Sequence, residues 1–220
     1  MVYASLFPGD AIIALMQEPA RPISPEFDLS NPAGSYWLLF RSAVGSPRRF
    51  FLGFQTGGEL REPAVYAAIT GVLAALVAVV VRYGLSPVFG ALFGPGTTGD
   101  EVYGLGALEA LGFAVVYPAF VALAAAVYLL AIRVFVGKVG DFGALFRMAS
   151  YGFGAMCLAW LPFIGAFAIT YSLLVVMVIG IRYVFSTTLV TALVVALTGF
   201  VPLSLGLIAL RGLAFQVFGP

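Results

Sequence analysis

Few residues in this chain are equipped for chemistry. Its 220 residues include no histidine and a single cysteine, Cys157. The commonest general base and the commonest zinc ligand are therefore missing, and no intrachain disulfide can form. Glu109 is the only acid inside a long apolar run, where an ionisable side chain is by default a candidate for lining a solute path. It stands near the start of that run, however, where the positive end of a helix dipole also suits a carboxylate. Lys138 and Asp141 lie in a Gly-rich stretch, "GKVGDFG", that could touch phosphate. No Lys-Ser/Thr pair follows and no strand precedes it, so it reads as a turn rather than a phosphate cradle. Arg147 stands between Phe146 and Met148, where its stem can follow apolar neighbours while the guanidinium reaches lipid headgroups. Finally, "SPRRFF", residues 46–51, sets Arg48 and Arg49 against Phe50 and Phe51. In helical geometry Phe50, Phe51 and Phe54 share a face with both arginines off it. That suits an interfacial helix with rings among acyl chains and cations at anionic headgroups, and Ser46 before Pro47 is a sound helix start. No catalytic residue, metal site or cofactor is expected.

The elements that must position these residues are membrane helices. With 62% hydrophobic residues, 10% charged and a mean hydropathy of +1.07, the chain has too few charges to coat a soluble globule, which carries about 25%. A net charge of +1 gives no reason to expect a nucleic-acid partner. Residues 1–45 are polar and punctuated by Pro8, Pro19, Pro22, Pro25 and Pro32, with a short amphipathic stretch at 10–17 and an aromatic cluster at 36–40. The first basic residue is Arg21, and Pro8, Gly9 and Asp10 break the early apolar stretch, so no cleaved leader is expected. This region reads as a partly ordered arm lying on the membrane, and residues 46–220 as the membrane domain.

Apolar runs at 63–81, 105–132 and 186–210 each suffice to cross a hydrocarbon core, which takes about 20 residues. Residues 148–181 contain no charge. As one helix they would measure roughly 51 Å against a core of about 30 Å. Pro162 in "LPFIG" disfavours helix at the residue before it, so two spans, 144–161 and 163–181, joined by a tight hairpin, are predicted. The fold class is therefore all-α: a bundle of five transmembrane helices behind an N-terminal arm and an interfacial helix. If the N-terminus is cytoplasmic, only Arg82 and Arg211 of the 11 basic residues fall outside, a clear positive-inside bias. The protein is then a multi-pass protein of the cell (inner) membrane with an external C-terminus. Tyr83, Tyr103 and Trp160 sit at outer edges and Tyr128 and Tyr183 at inner ones. Small residues repeat at four-residue spacing, Ala67, Gly71 and Ala75 in the first span and Ala122 and Ala126 in the second, allowing close helix approach within one chain or in a homo-oligomer.

In order along the chain come "SPRRFF", the inner loop "GKVGDFGALFRMASYG", the "LPFIG" hairpin and the turn "IRYVFSTTLVTA". This series, covering residues 46 to about 210, resembles the bacterial branch of the YIP family of Ypt/Rab-interacting five-span membrane proteins. The resemblance implies a five-span architecture and a non-enzymatic protein. Eukaryotic members carry a longer cytosolic region with an acidic-Leu-Tyr-Gly-Pro motif and act in vesicle traffic with small GTPases. No such motif stands here, so a GTPase partner is not carried over. Two functions remain: a membrane scaffold or trafficking-type protein that contacts lipid and an unidentified protein partner, and a small transporter or channel with Glu109 on its path. The absence of an inverted repeat and of paired broken helices favours the first.

Overall fold

The computed structural model of the chain describes residues 25–85, 88, 91, 107–137, 140–161 and 163–218. The amphipathic stretch expected at 10–17, the loop edge at Tyr103, and Lys138 lie outside these residues. Every regular element among the described residues is helical.

Helix α1 (Pro32–Gly45) starts where Asn31 accepts a hydrogen bond from the Gly34 N–H at 3.1 Å and Pro32 fills the first turn, where a missing N–H costs nothing. Just upstream, the Asp28 carboxylate accepts hydrogen bonds from the Ser30 hydroxyl and N–H, which hold its pKa below the usual carboxylate range. Pro47 helps to stop α1, because proline disfavours helical backbone at the residue before it, and opens α2 (Pro47–Leu52). The Ser46 side chain makes no capping bond, contrary to its expected role. Helix α3 (Arg61–Val80) begins two residues before Pro63, which still falls within the first turn, where backbone donors have no intrahelical partner. A π-helical turn, Val81–Leu85, ends it.

Helix α4 (Ala107–Phe135) contains Pro118, and α8 (Leu189–Phe218) contains Pro202; neighbouring helices make such interior prolines tolerable in a membrane bundle. Between them lie α5 (Phe142–Gly152) with a 3-10 continuation, Phe153–Leu158, and the rod made of α6 (Gly165–Thr170), a π-helical stretch Tyr171–Val176, and α7 (Met177–Val184). Among the described residues, four helices are long and apolar enough to cross a membrane: Arg61–Val80, Ala114–Phe135, Gly165–Val184 and Leu189–Ala209. The protein is therefore a multi-pass helical membrane protein. The span expected at 144–161 takes a different form. It is 11 residues of α-helix followed by 6 of 3-10 helix, and every residue from 144 to 157 is buried.

That burial defines the architecture. Helix α5 packs against α3, α4 and α7, and α1 closes the remaining side by running across α5 and its 3-10 extension. The buried face of α1 is Ser35, Tyr36, Leu39 and Ala43, while Trp37 and Leu38 point outward. Tyr36 stacks on Tyr66 at 4.7 Å between centroids and shares a hydrogen bond with Thr70 at 3.2 Å. At the far end of α1 the Val44 carbonyl accepts from the Tyr171 hydroxyl at 2.6 Å. The end of the expected surface arm, residues 32–45, is thus part of the bundle wall.

Inside lipid, tails are as apolar as leucine, so close packing rather than burial from water holds helices together. The stripe Ala67, Gly71, Ala75 is buried and works within the chain: a Cβ on Gly71 would fall 2.7 Å from the Tyr117 Cβ of α4. On α4 the buried small residues are Ala124, Ala125 and Ala131, while Ala122 is half-buried and Ala126 exposed. Tyr128, expected at an inner edge, is fully buried instead; its hydroxyl donates to the Leu173 carbonyl and its ring fills the notch left by Gly199. The hydroxyl of a residue facing α8 thus supplies a donor to an interior carbonyl in the π-helical stretch.

Candidate functional site

Of the residues singled out by sequence, Arg48, Arg49, Phe50, Phe51, Asp141 and Arg147 lie toward one rim of the bundle, where α3 and α5 begin and α4 and α7 end. There Asp141 caps α5, accepting from the Ala144 N–H at 2.7 Å. A cleft of about 440 Å³ opens among Thr56, Gly140, Asp141, Ala144, Val184, Phe185 and Ser186. Arg48, Arg49, Arg61, Arg133 and Arg182 are exposed around the described rim.

Arg147 departs most from expectation. Snorkelling to headgroups would leave its guanidinium exposed, but the residue is 1% exposed. It sits in the second turn of α5, walled in on all sides, so its charge must be met inside the protein. Nη2 pairs with Glu26 and Nη1 donates to the Glu59 carbonyl at 3.0 Å, while Nε is buried without a hydrogen-bond partner. Gly58 makes room for it: its φ is +129°, and a Cβ there would approach Nη1 to 2.5 Å. Three segments distant in sequence, 25–28, 58–60 and α5, are thereby tied at one guanidinium. Glu26 was missed by sequence reasoning. Its only signal was an acid in the Pro-rich "SPEFD" stretch, 121 residues from its partner.

Phe50 and Phe51 are also placed differently. Their rings do meet that of Phe54, with centroids 5.8 and 5.5 Å away, and each other at 5.1 Å, as the shared helical face predicts. The face turns inward, however, not toward acyl chains: Phe50 and Phe51 are 3% and 1% exposed. The Phe51 ring fits between Gly152 of α5 and Gly180 of α7, and Phe50 meets Tyr151 edge-on at 6.3 Å. A Cβ on either glycine would stand 3.8 or 3.4 Å from the Phe51 Cζ, and Val176 and Met148 press still closer on the same two positions. Helix α2 is consequently locked to α7 and holds Arg48 and Arg49 at the rim.

The Arg48 guanidinium lies 5.7 Å from the centre of the Tyr183 ring, and Arg182 approaches the same ring at 5.5 Å. Glu109 falls in the first turn of α4, and its side chain lies outside the described residues, as does all of Lys138. The rim can therefore present fixed cations to an anionic surface, and its buried arginine serves as a structural tie.

Residues 42–210 match a protein-family model described as the Yip1 domain. No curated protein and no solved structure matches the chain.

Proposed function

Because the chain belongs to the Yip1 domain family, whose model spans the bundle from the end of α1 into α8, we propose that it is a non-catalytic scaffold of the cell membrane. In this reading it takes part in trafficking or membrane organisation, with its basic rim on the cytoplasmic side offered to anionic lipid, through Arg48 and its neighbour Arg49, and to a protein partner. The observation that carries this reading is the filled interior. A conduit needs a polar path along the bundle axis, whereas here α5 occupies the centre and the rings of Tyr66, Tyr117, Tyr128, Tyr151 and Phe153, each at most 1% exposed, fill the space around it. Exposed cations concentrate at the rim instead.

Where the ends lie supports a reading of five crossings. Thr56 ahead of α3, Asp141 ahead of α5 and Ser186 behind α7 line one cleft, so they share a face. The rod Gly165–Val184 is long enough to cross and ends at that face, which puts its start on the opposite one. Residues 141–165 must then carry the chain across. Helix α5 and its 3-10 extension rise about 28 Å together, close to the core thickness of about 30 Å. The positive-inside bias supports a cytoplasmic cleft.

Cysteine labelling tests both points, and the chain is suited to it because its single cysteine is buried. In intact cells a membrane-impermeant maleimide is expected to label F163C alone, and to label T56C and S186C only after permeabilisation. Labelling of T56C and F163C from the same side would eliminate the central crossing. Labelling of S186C from outside would invert the topology.

A further inference from the structure

We propose that Arg48, Arg182 and Tyr183 form one binding site for the phosphate of an anionic lipid headgroup in the inner leaflet; this deepens the lipid-contact reading above and rests on it. Arg48 comes from α2 and Arg182 from α7, yet both guanidinium groups approach a single ring, at 5.7 and 5.5 Å. Two cations brought to one ring repel each other, and among the described residues neither has a carboxylate partner, the one ion pair there being Arg147 with Glu26. The convergence is enforced from below. Phe51, wedged between Gly152 and Gly180, fixes the register of α2 on α7, and the ring contacts limit the rotamers both arginines can adopt.

An anion between the two groups relieves the repulsion. Phosphate suits it best, because each guanidinium offers a planar fork of donors matched to phosphate oxygens. A lipid is the source the location favours: both arginines are exposed at the end of a membrane-crossing rod, where headgroups lie. Apolar side chains face outward farther along that rod, Val175 at 40% and Phe167 at 80% exposed, and acyl chains can follow them. Arg49, although adjacent to Arg48, makes no such contact, so the site pairs Arg48 with a residue from the other end of the sequence rather than with its neighbour.

The test uses the full chain in nanodiscs of phosphatidylcholine containing a minority of phosphatidylglycerol, with phosphatidylglycerol retained by the protein counted by native mass spectrometry after release from the disc. R48Q and R182Q are each expected to lower retention about fivefold, the change one near-surface cation brings against an anionic leaflet. The double variant is expected to fall little further, since both act on one phosphate. R49Q, which makes no contact with the Tyr183 ring, is expected to lower retention less than either of them. Added inorganic phosphate is expected not to displace the lipid, and unchanged thermal midpoints would show that the variants are folded. Equal losses in R49Q and R48Q, an unaltered R182Q, or multiplicative losses in the double variant would each overturn the shared site. Displacement by inorganic phosphate would overturn the lipid as its ligand. Outside labelling of S186C would instead remove only the assignment to the inner leaflet.

Discussion

Glu26→Ala is expected to destabilise the protein by about 3 kcal/mol, because it strips the counter-charge from an arginine that has nowhere to go. Breaking a buried ion pair from one side costs about 3–5 kcal/mol. The lower end applies because the Glu26 side chain is 39% exposed while that of Arg147 is 1% exposed. Arg147→Met removes the charge and keeps most of the stem, and it leaves behind a carboxylate that can turn to water, so it should cost less. In the double variant most of the loss should vanish, since an apolar replacement of a whole buried pair is often neutral. The check is a double-mutant cycle on thermal or denaturant unfolding in mild detergent. Additive effects would mean that the two residues do not act as a pair. The same cycle reports on the arm: with the tie broken, protease should reach residues 25–45 sooner in Glu26→Ala than in the double variant.

A second large effect is expected at the hairpin between the 3-10 turn and α6. A Cβ on Gly165 would lie 2.0 Å from the Ala159 carbonyl oxygen and 2.8 Å from its carbon. Both are backbone atoms, so no side chain can move aside to relieve the clash. The turn itself must open, breaking the Gly165 N–H to Leu161 carbonyl bond of 2.8 Å. Gly165→Ala should therefore cost about 3 kcal/mol or more, at or beyond the upper end of overpacking penalties. Phe163 provides the contrast. Its φ of 65° is unfavourable for a side-chain-bearing residue, and its ring is 82% exposed. Phe163→Gly should change stability by no more than about 1 kcal/mol, with relief of the left-handed backbone offsetting lost contacts. A mild Gly165→Ala together with a severe Phe163→Gly would mean the hairpin has another geometry.

The crossings were legible because a membrane selects for length and apolarity, and both are written linearly. The break at "LPFIG" could be read from Pro162 and from a run too long for one helix. What could not be read is which way an apolar face turns. In water a ring at Phe51 must go inward, but in a bilayer lipid and protein interior are equally apolar, so the periodicity of Phe50, Phe51 and Phe54 identifies a face without naming its neighbour. The packing that decides it comes from Gly152 and Gly180, residues on two other helices, together with Val176 and Met148 beside them. Arg147 was misjudged for a related reason. A lone arginine near a helix start can reach headgroups unless something covers it, and the cover is an arm 121 residues upstream. Likewise the two partners of the Tyr183 ring lie on α2 and α7, a pairing that no local spacing encodes.

The enclosure of α5 also bears on how the protein is made. A nascent helix leaving the translocon is sorted by its own apolarity, and α5 brings a poor case: it carries Arg147, Ser150 and two glycines in 11 residues, and an arginine near a helix centre is penalised on insertion. Everything that makes it acceptable, from Glu26 and Glu59 to Tyr66 and the α1 wall, is synthesised earlier, apart from α7. The arm and the first two crossings thus form a cradle that is waiting when α5 emerges. Biogenesis of this bundle is therefore expected to be ordered, with the segments ahead of α5, through the end of α4 at Phe135, acting as an internal chaperone for its most buried helix.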